Sequence, residues 1–229
     1  MSLYAIGDLH LSFGTDKPMD VFGKAWTGYV DKLRAGLSVI RPEDTTVLLG
    51  DLSWAMDMEQ AREDFAFISA IPGRKIILKG NHDYWWTTAS KFYRFCEENN
   101  FSDLWVLNNN AYFWGDYAIC GTRGWFYEQD RDGSHDEKIF NREMMRLETS
   151  LKAAQGKQIL CFLHYPPVYR GYRCGPLLEL LHRYGVKTCY YGHLHSESHK
   201  LAVIGAYEGI DFRLVAADYT NFCPLLVRA

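Results

Sequence analysis

Short apolar runs alternate with longer stretches of mixed polarity along the chain. The runs are rich in β-branched and aromatic residues, which predicts buried strands. They cover residues 3–7, 45–50, 75–80, 117–121, 158–163 and 187–192. Helical spacing and helix end signals predict four helices between them, at residues 57–70, 87–98, 136–154 and 176–184. The alternation predicts an α/β fold, to which a strand-rich tail over 201–220 adds a second sheet or an edge.

The chain of 229 residues has no internal repeat, low-complexity segment or proline-rich linker. We therefore expect one domain over residues 1–229. The polar stretch 127–138, YEQDRDGSHDEK, is the best candidate for a surface loop and a possible lid.

Charge and apolar patterning argue against several classes of function. A net charge of -3 argues against general binding to nucleic acid or to an anionic membrane surface. The opening MSLYAIGDLH does not resemble a signal peptide, and no run of about 18 apolar residues predicts a membrane span. The six cysteines are scattered, which favours reduced core thiols in a cytoplasmic protein over disulfides or a zinc–thiolate site.

Five of the predicted strands end in side chains that bind metals. These side chains are Asp8 and His10, Asp51, Asn81 and His82, His164, and His193 and His195. In four of the five endings a glycine precedes the first such residue, and glycine allows a strand to stop sharply. If the strand conformation persisted, each D-x-H or H-x-H pair would project both side chains to one side. Because ligands of open α/β sheets bind beyond the carboxyl ends of the strands, we expect these residues to converge on one site.

The types of donor indicate which metals fit. Without His82, the set has four histidines, two aspartates and one asparagine, and no thiolate. Such mixed nitrogen and oxygen donors suit Mn, Fe, Zn or Co better than Ca. Seven ligands are too many for one tetrahedral ion, but they fit two ions if one carboxylate bridges them. Two divalent ions and two aspartates leave a net positive charge, which favours a phosphate ester.

The ordered motifs resemble those of the calcineurin-like metallophosphoesterases. The family's blocks D-x-H, G-D, G-N-H-[DE], H and G-H-x-H appear as Asp8-Leu9-His10, Gly50-Asp51, Gly80-Asn81-His82-Asp83, His164 and Gly192-His193-Leu194-His195. The resemblance implies a β-sandwich flanked by helices in four αββα layers, with the metal site at the carboxyl ends of the strands. It also implies hydrolysis of a phosphomonoester or phosphodiester by attack of a metal-bound hydroxide.

The resemblance also implies a role for each motif residue. Asp8, His10 and His195 would hold one metal ion. Asn81, His164 and His193 would hold a second ion, and Asp51 would bridge the two. These ions would be divalent or trivalent transition metals, with Mn, Fe or Zn favoured. His82 would donate a proton or a hydrogen bond near the leaving oxygen, and Asp83 would orient His82 or a neighbour.

The chain departs from the protein phosphatases of this superfamily after its Gly-Asp block. Their motif G-D-x-x-D-R-G is replaced by GDLSWAMD, with Trp54 and Ala55 in place of the aspartate and the arginine. This departure disfavours a serine/threonine protein phosphatase, which stays an alternative. Phosphate contacts are then expected from Arg123 between its flanking Thr and Gly, or from Arg170 and Arg173, which are otherwise surface arginines.

The expected partner is a small phosphorylated substrate, and the sequence does not predict an oligomeric state. Four tryptophans near the motifs either line a cleft or pack beneath the metal loops: Trp54, Trp85, Trp86 and Trp125. Two further alternatives are a non-catalytic scaffold that binds metal and phosphate, and a nuclease-like phosphodiesterase. The acidic net charge speaks against the nuclease.

Overall fold

The computed structural model describes residues 1–17, 19–126 and 134–229. These residues form two compact units, the first made of Met1–Val106 with Val215–Ala229 and the second of Leu107–Leu214. One domain spanning residues 1–229 stays a prediction. None of the helices in the described ranges is both long and apolar enough to cross a membrane.

The first unit is a five-stranded sheet with three α-helices. Its elements in chain order are β1 (Leu3–Ile6), α1 (Tyr29–Leu37), β2 (Thr45–Leu48), α2 (Arg62–Ser69), β3 (Arg74–Ile77), α3 (Ala89–Glu98), β4 (Leu104–Val106) and β13 (Leu225–Arg228). Two 3-10 helices, Met19–Phe22 and Lys24–Trp26, precede α1. The strand order is β13-β1-β2-β3-β4, parallel except for β13, which is antiparallel to β1. The carboxyl ends of β1, β2 and β3 therefore share one edge of the sheet.

An aromatic core holds the helices of this unit. Phe65 of α2 lies edge-on to Trp85 and to Phe92 of α3, with ring centroids 4.7 and 5.1 Å apart. All three side chains are almost fully buried, so each contributes about 1.5–3 kcal/mol of apolar burial. Trp85 thus anchors the loop after β3 directly behind its polar motif.

The second unit is a six-stranded sheet with two α-helices and a small hairpin. Its elements are β5 (Tyr112–Trp114), β6 (Tyr117–Thr122), α4 (Ser134–Lys152), β7 (Gln158–Leu163), β8 (Val168–Tyr169), β9 (Tyr172–Arg173), α5 (Gly175–Arg183), β10 (Thr188–Tyr191), β11 (Gly205–Tyr207) and β12 (Ile210–Leu214). A 3-10 helix covers Ser196–Leu201, and β8 and β9 form the hairpin. The strand order is β11-β12-β10-β7-β6-β5, in which the four central strands are parallel and both edge strands are antiparallel.

These two mostly parallel sheets with helices confirm the α/β fold class, as well as all six predicted strands and four predicted helices. The largest difference in a helix boundary is at α2, which begins at Arg62 rather than at residue 57. A turn precedes it, in which the Asp57 carboxylate accepts the Gln60 N–H at 2.9 Å and the Gln60 side chain accepts the Met56 N–H at 3.1 Å. Such side-chain bonds compete with helix formation.

Part of the predicted loop at 127–138 is also helical, because α4 already begins at Ser134. Residues 127–133 lie outside the described residues, so the lid stays a prediction. The six cysteines are free thiols; five are buried and Cys223 is exposed. In the sheet, Cys161 of β7 lies opposite Cys120 of β6 on one side and opposite Cys189 of β10 on the other.

Candidate active site

In the first unit, the loops after β1 and β2 continue side by side beyond the strands. The Asp8 N–H donates to the Gly50 carbonyl and the His10 N–H to the Asp51 carbonyl, both at 2.9 Å. The next residue continues the pattern, with the Leu11 N–H donating to the Leu52 carbonyl at 2.9 Å. The two loops are therefore fixed to each other through their backbones, which places the side chains of Asp8, His10 and Asp51 at the same sheet edge.

The backbone of these candidate ligands is not extended, so the D-x-H pair does not project its two side chains from a continuing strand. Asp8, His10 and Asp51 have φ angles of 60°, 48° and 48°, in the left-handed region that residues other than glycine rarely occupy. The strand conformation thus ends before Asp8. The two-residue spacing delivers both side chains to one edge through an irregular loop. Costly backbone angles of this kind cluster at functional sites.

The Asp51 carboxylate contacts two other candidate residues of the first unit. Asp51 is 1% exposed, and its Oδ1 accepts the His82 backbone N–H at 2.8 Å. Its Oδ2 lies 3.8 Å from Nε2 of His10. That separation is too long for a hydrogen bond, yet it is within the span of two donors that share one ion at about 2.1 Å each. The pair therefore fits a common transition-metal ion.

Two glycines allow the loops after β2 and β3 to touch. A Cβ atom at Gly80 would lie 2.0 Å from Oδ1 and 2.2 Å from the backbone nitrogen of Asp51. Gly50 has a φ of 82°, and a Cβ there would lie 2.4 Å from the Gly80 nitrogen. A side chain at either position would collide with the neighbouring loop, so glycine is needed here for the close approach of the two backbones.

Asp83 binds these loops together with a fully buried carboxylate. Its Oδ2 accepts the backbone N–H groups of Asp51 at 2.8 Å and Gly80 at 2.7 Å. Its Oδ1 accepts the N–H of Leu52 at 2.8 Å and the indole N–H of Trp85 at 2.9 Å, with a longer bond of 3.3 Å from the Ser53 N–H. None of these described donors is the imidazole of His82. The carboxylate accordingly holds the backbone of the loops next to His82, and its role in orienting His82 or a neighbour stays a prediction.

His82 packs against Trp54, the residue that replaces the aspartate of the protein phosphatases. The two ring centroids are 4.4 Å apart. The same indole stacks on His10, with centroids 4.9 Å apart and planes 22° from parallel. On the exposed side, the Tyr84 hydroxyl lies 3.5 Å from Nδ1 of His82. Trp54 therefore supports two of the candidate site residues, while Trp85 and Trp86 pack in or against the core.

In the second unit, β6, β7 and β10 are parallel neighbours, and candidate residues follow each of them. Arg123 follows β6, His164 follows β7 and His193 follows β10. The Arg123 carbonyl accepts the N–H of His164 at 3.1 Å and that of Tyr165 at 2.8 Å, and the His164 carbonyl accepts the Gly192 N–H at 3.1 Å. These bonds hold three loops at one edge of the sheet, as the strand-end pattern predicts.

The two histidines at this edge lie close together. The ring centroids of His164 and His193 are 5.2 Å apart with planes 75° from parallel, and His164 is fully buried. Tyr165 packs on His193 at 4.2 Å, a contact that sequence reasoning missed although Tyr165 directly follows His164. His195 precedes the 3-10 helix, where its backbone N–H donates to the Ser198 hydroxyl at 2.9 Å.

The Arg123 guanidinium is mostly buried, at 13% exposure, and lies 3.5 Å from the carboxylate of Glu143 on α4. The Cζ atom of Arg123 lies over the Trp125 ring, 4.6 Å from its centroid. Burial lowers the pKa of Arg123, and the charge of Glu143 opposes this shift. A role of Arg123 in substrate binding stays a prediction. Arg173 instead forms a surface ion pair with Glu208 at 2.8 Å.

Comparison with known proteins identifies the family. The calcineurin-like phosphoesterase family model matches residues 1–197. The match covers most of the chain, so the protein belongs to the calcineurin-like phosphoesterases. It is a metal-dependent enzyme that hydrolyses phosphoric esters. No curated protein matches the chain.

Solved structures with low sequence identity share the fold. The protein of unknown function AQ665 from Aquifex aeolicus is 16% identical with a TM-score of 0.55, over 98% of this chain and 94% of that chain. Phosphopantetheinyl hydrolase PptH from Mycobacterium tuberculosis is 15% identical with a TM-score of 0.58, over 99% of this chain and 96% of that chain. At these identities the likeness concerns the fold alone.

Proposed function

We propose that the protein hydrolyses a small phosphomonoester or phosphodiester with a centre of two transition-metal ions. Asp8, His10 and His195 would hold one ion, with Mn, Fe or Zn as the favoured metals. A second ion would be held by Asn81, His164 and His193, with Asp51 bridging the two. This assignment rests on the family and on the donor chemistry of the candidate ligands.

The observation that carries the proposal is the pair formed by His10 and Asp51. Their donor atoms, Nε2 and Oδ2, are 3.8 Å apart on nearly inaccessible side chains. Burying a carboxylate is costly unless it is paired or bound to a metal. An ion shared by these two donors would stabilise the buried carboxylate further, and it agrees with the family's dependence on metal.

When bound, the ions would supply an activated water and Lewis-acid stabilisation of the developing negative charge. The chain supplies positioning and proton transfer. The His82 imidazole would donate a proton to the leaving oxygen, supported by its contact with Trp54 at 4.4 Å. Asp83 would act only through others, because its carboxylate already accepts five N–H donors.

The test begins with metal-free protein and generic aryl substrates. Added Mn²⁺ is expected to activate hydrolysis of an aryl phosphate, a bis-aryl phosphate or both, and a chelator to abolish it. A wider panel of nucleotides, sugar phosphates, cyclic nucleotides and a phosphopantetheinyl ester then separates monoester from diester preference. The last ester is included because a fold neighbour is described as a phosphopantetheinyl hydrolase.

His82→Ala tests the proton donor. This variant is expected to retain the metal content of the wild type, measured by elemental analysis, and to lose turnover by about 10²–10⁴-fold. His182→Ala, at an exposed position of α5, is the matched control and should retain activity. The proposal is refuted if metal-loaded wild-type protein cleaves neither class of ester, or if His82→Ala is as active as the control.

A further inference from the structure

The side chain of Lys17 lies on the tryptophan that supports the candidate acid. Its ammonium nitrogen is 3.7 Å from the centroid of the Trp54 ring. The same ring centroid is 4.4 Å from that of His82 and 4.9 Å from that of His10. The same indole therefore contacts the Lys17 ammonium and the two imidazoles of His10 and His82.

The loop that carries Lys17 is anchored on both sides of it. Before Lys17, the Phe13 N–H donates to the carboxylate of Asp64 at 2.8 Å. After it, the sulfur of Met19 accepts the indole N–H of Trp54 at 3.0 Å. The backbone N–H of Trp54 donates to the Leu11 carbonyl at 2.9 Å. Because this loop directly follows the D-x-H motif, the anchors hold Lys17 at the edge where Asp8 and His10 lie.

The charge of Lys17 is available to a ligand. Lys17 is exposed, and no carboxylate within the described parts of the chain forms an ion pair with it. A cation held over an indole face keeps its hydrogen-bond donors free on the outer side.

We propose that Lys17, placed by Trp54, binds the phosphoryl oxygens of the substrate and favours doubly charged phosphomonoesters over singly charged diesters. This inference rests on the proposed hydrolysis of phosphoesters. Coulomb attraction to the ammonium is proportional to the charge of the ligand. A phosphomonoester carries close to two negative charges above its second pKa of about 6, and a diester carries one.

The experiment compares Lys17→Met with wild-type protein on a matched aryl phosphate monoester and diester. Loss of a charged hydrogen bond to the monoester is expected to raise its KM about tenfold. Half of that interaction energy corresponds to a rise of about threefold for the diester. Titration calorimetry of the metal-loaded protein should show inorganic phosphate binding about tenfold more weakly to the variant.

Two further variants show whether charge is the cause. Lys17→Arg is expected to restore most of the monoester KM, because it keeps the cation and its contact with the indole. Lys24→Met removes an exposed lysine from the same unit, and its kinetics should match the wild type. If the wild type is active and Lys17→Met has the same KM values and phosphate affinity, the role of Lys17 is refuted and the proposed hydrolysis still stands. Wild-type protein that neither hydrolyses the esters nor binds phosphate would overturn both proposals.

Discussion

Asp83→Asn is expected to destabilise the protein strongly, because the carboxylate acts as a structural acceptor. The substitution keeps the size of the side chain but replaces one oxygen with an NH₂ group. Both oxygens of Asp83 already accept N–H groups: Oδ2 accepts two, and Oδ1 accepts three. Either orientation of the amide therefore places a donor against donors.

The cost follows from the number of bonds that are lost. In the less damaging orientation, the NH₂ group faces the N–H groups of Asp51 and Gly80, which then lack an acceptor in a fully buried site. Hydrogen bonds to a charged group contribute about 1.5–3 kcal/mol each, so two of them amount to about 3–6 kcal/mol. That is a large part of the stability of about 5–15 kcal/mol typical of a whole protein.

The free energy of unfolding is measured by urea titration of the metal-free proteins, so that metal binding does not contribute. Asp31→Asn is the matched control, since the Asp31 side chain is 85% exposed in a surface ion pair and should cost less than about 0.5 kcal/mol. If Asp83→Asn cost no more than the control, the carboxylate would not hold these loops together, and a direct chemical role would have to be considered instead.

Three more predictions concern other features of the fold. Gly80→Ala should lower the stability and the metal affinity of the protein, since its Cβ would lie 2.0 Å from the Asp51 carboxylate. The control Gly115→Ala has open space around its Cβ and should cost only about 1 kcal/mol, because of its positive φ. Urea unfolding and metal titration measure both variants. Burial raises the pKa of Asp64 to about 6, so the folded state favours the protonated form. The wild type should lose up to about 3 kcal/mol relative to Asp64→Asn between about pH 4 and about pH 6, and equal pH profiles would contradict this. A thiol reagent should react rapidly with Cys223 alone in the native protein and with all six cysteines after unfolding.

The strand ends were the part of the site that the sequence could predict. An apolar run followed by Gly-Asp or Gly-Asn-His combines two local signals, burial and a polar stop, and both depend only on neighbours in the chain. Parallel pairing of β1, β2 and β3 then brings their ends to one edge. Helix α1 could also have been predicted, since its buried residues Tyr29, Leu33 and Leu37 recur every four residues.

Contacts between distant segments were beyond the reach of the sequence. Asp83 binds the N–H of Asp51 across 32 residues, and the motif itself does not show which donors it will meet. The contact of Lys17 with Trp54 likewise joins two loops that follow different motifs. Aspartate and lysine are common residues, so the contacts of Asp83 and Lys17 follow from the tertiary packing and not from the local sequence. The positive φ angles of the candidate ligands were also unpredictable, because aspartate and histidine normally avoid that region.

Backbone hydrogen bonds that need no ion hold the loops of the candidate ligands in their unusual backbone angles. Four candidate ligands, Asp8, His10, Asp51 and His193, are in the left-handed region, where each costs roughly 1–2 kcal/mol. The cost is offset within the first unit by bonds that need no ion, such as those from the N–H groups of Asp8 and His10 to the neighbouring loop. The donor side chains themselves take no part in these backbone bonds. Truncating the Asp8 side chain should therefore weaken metal binding while leaving these backbone bonds intact.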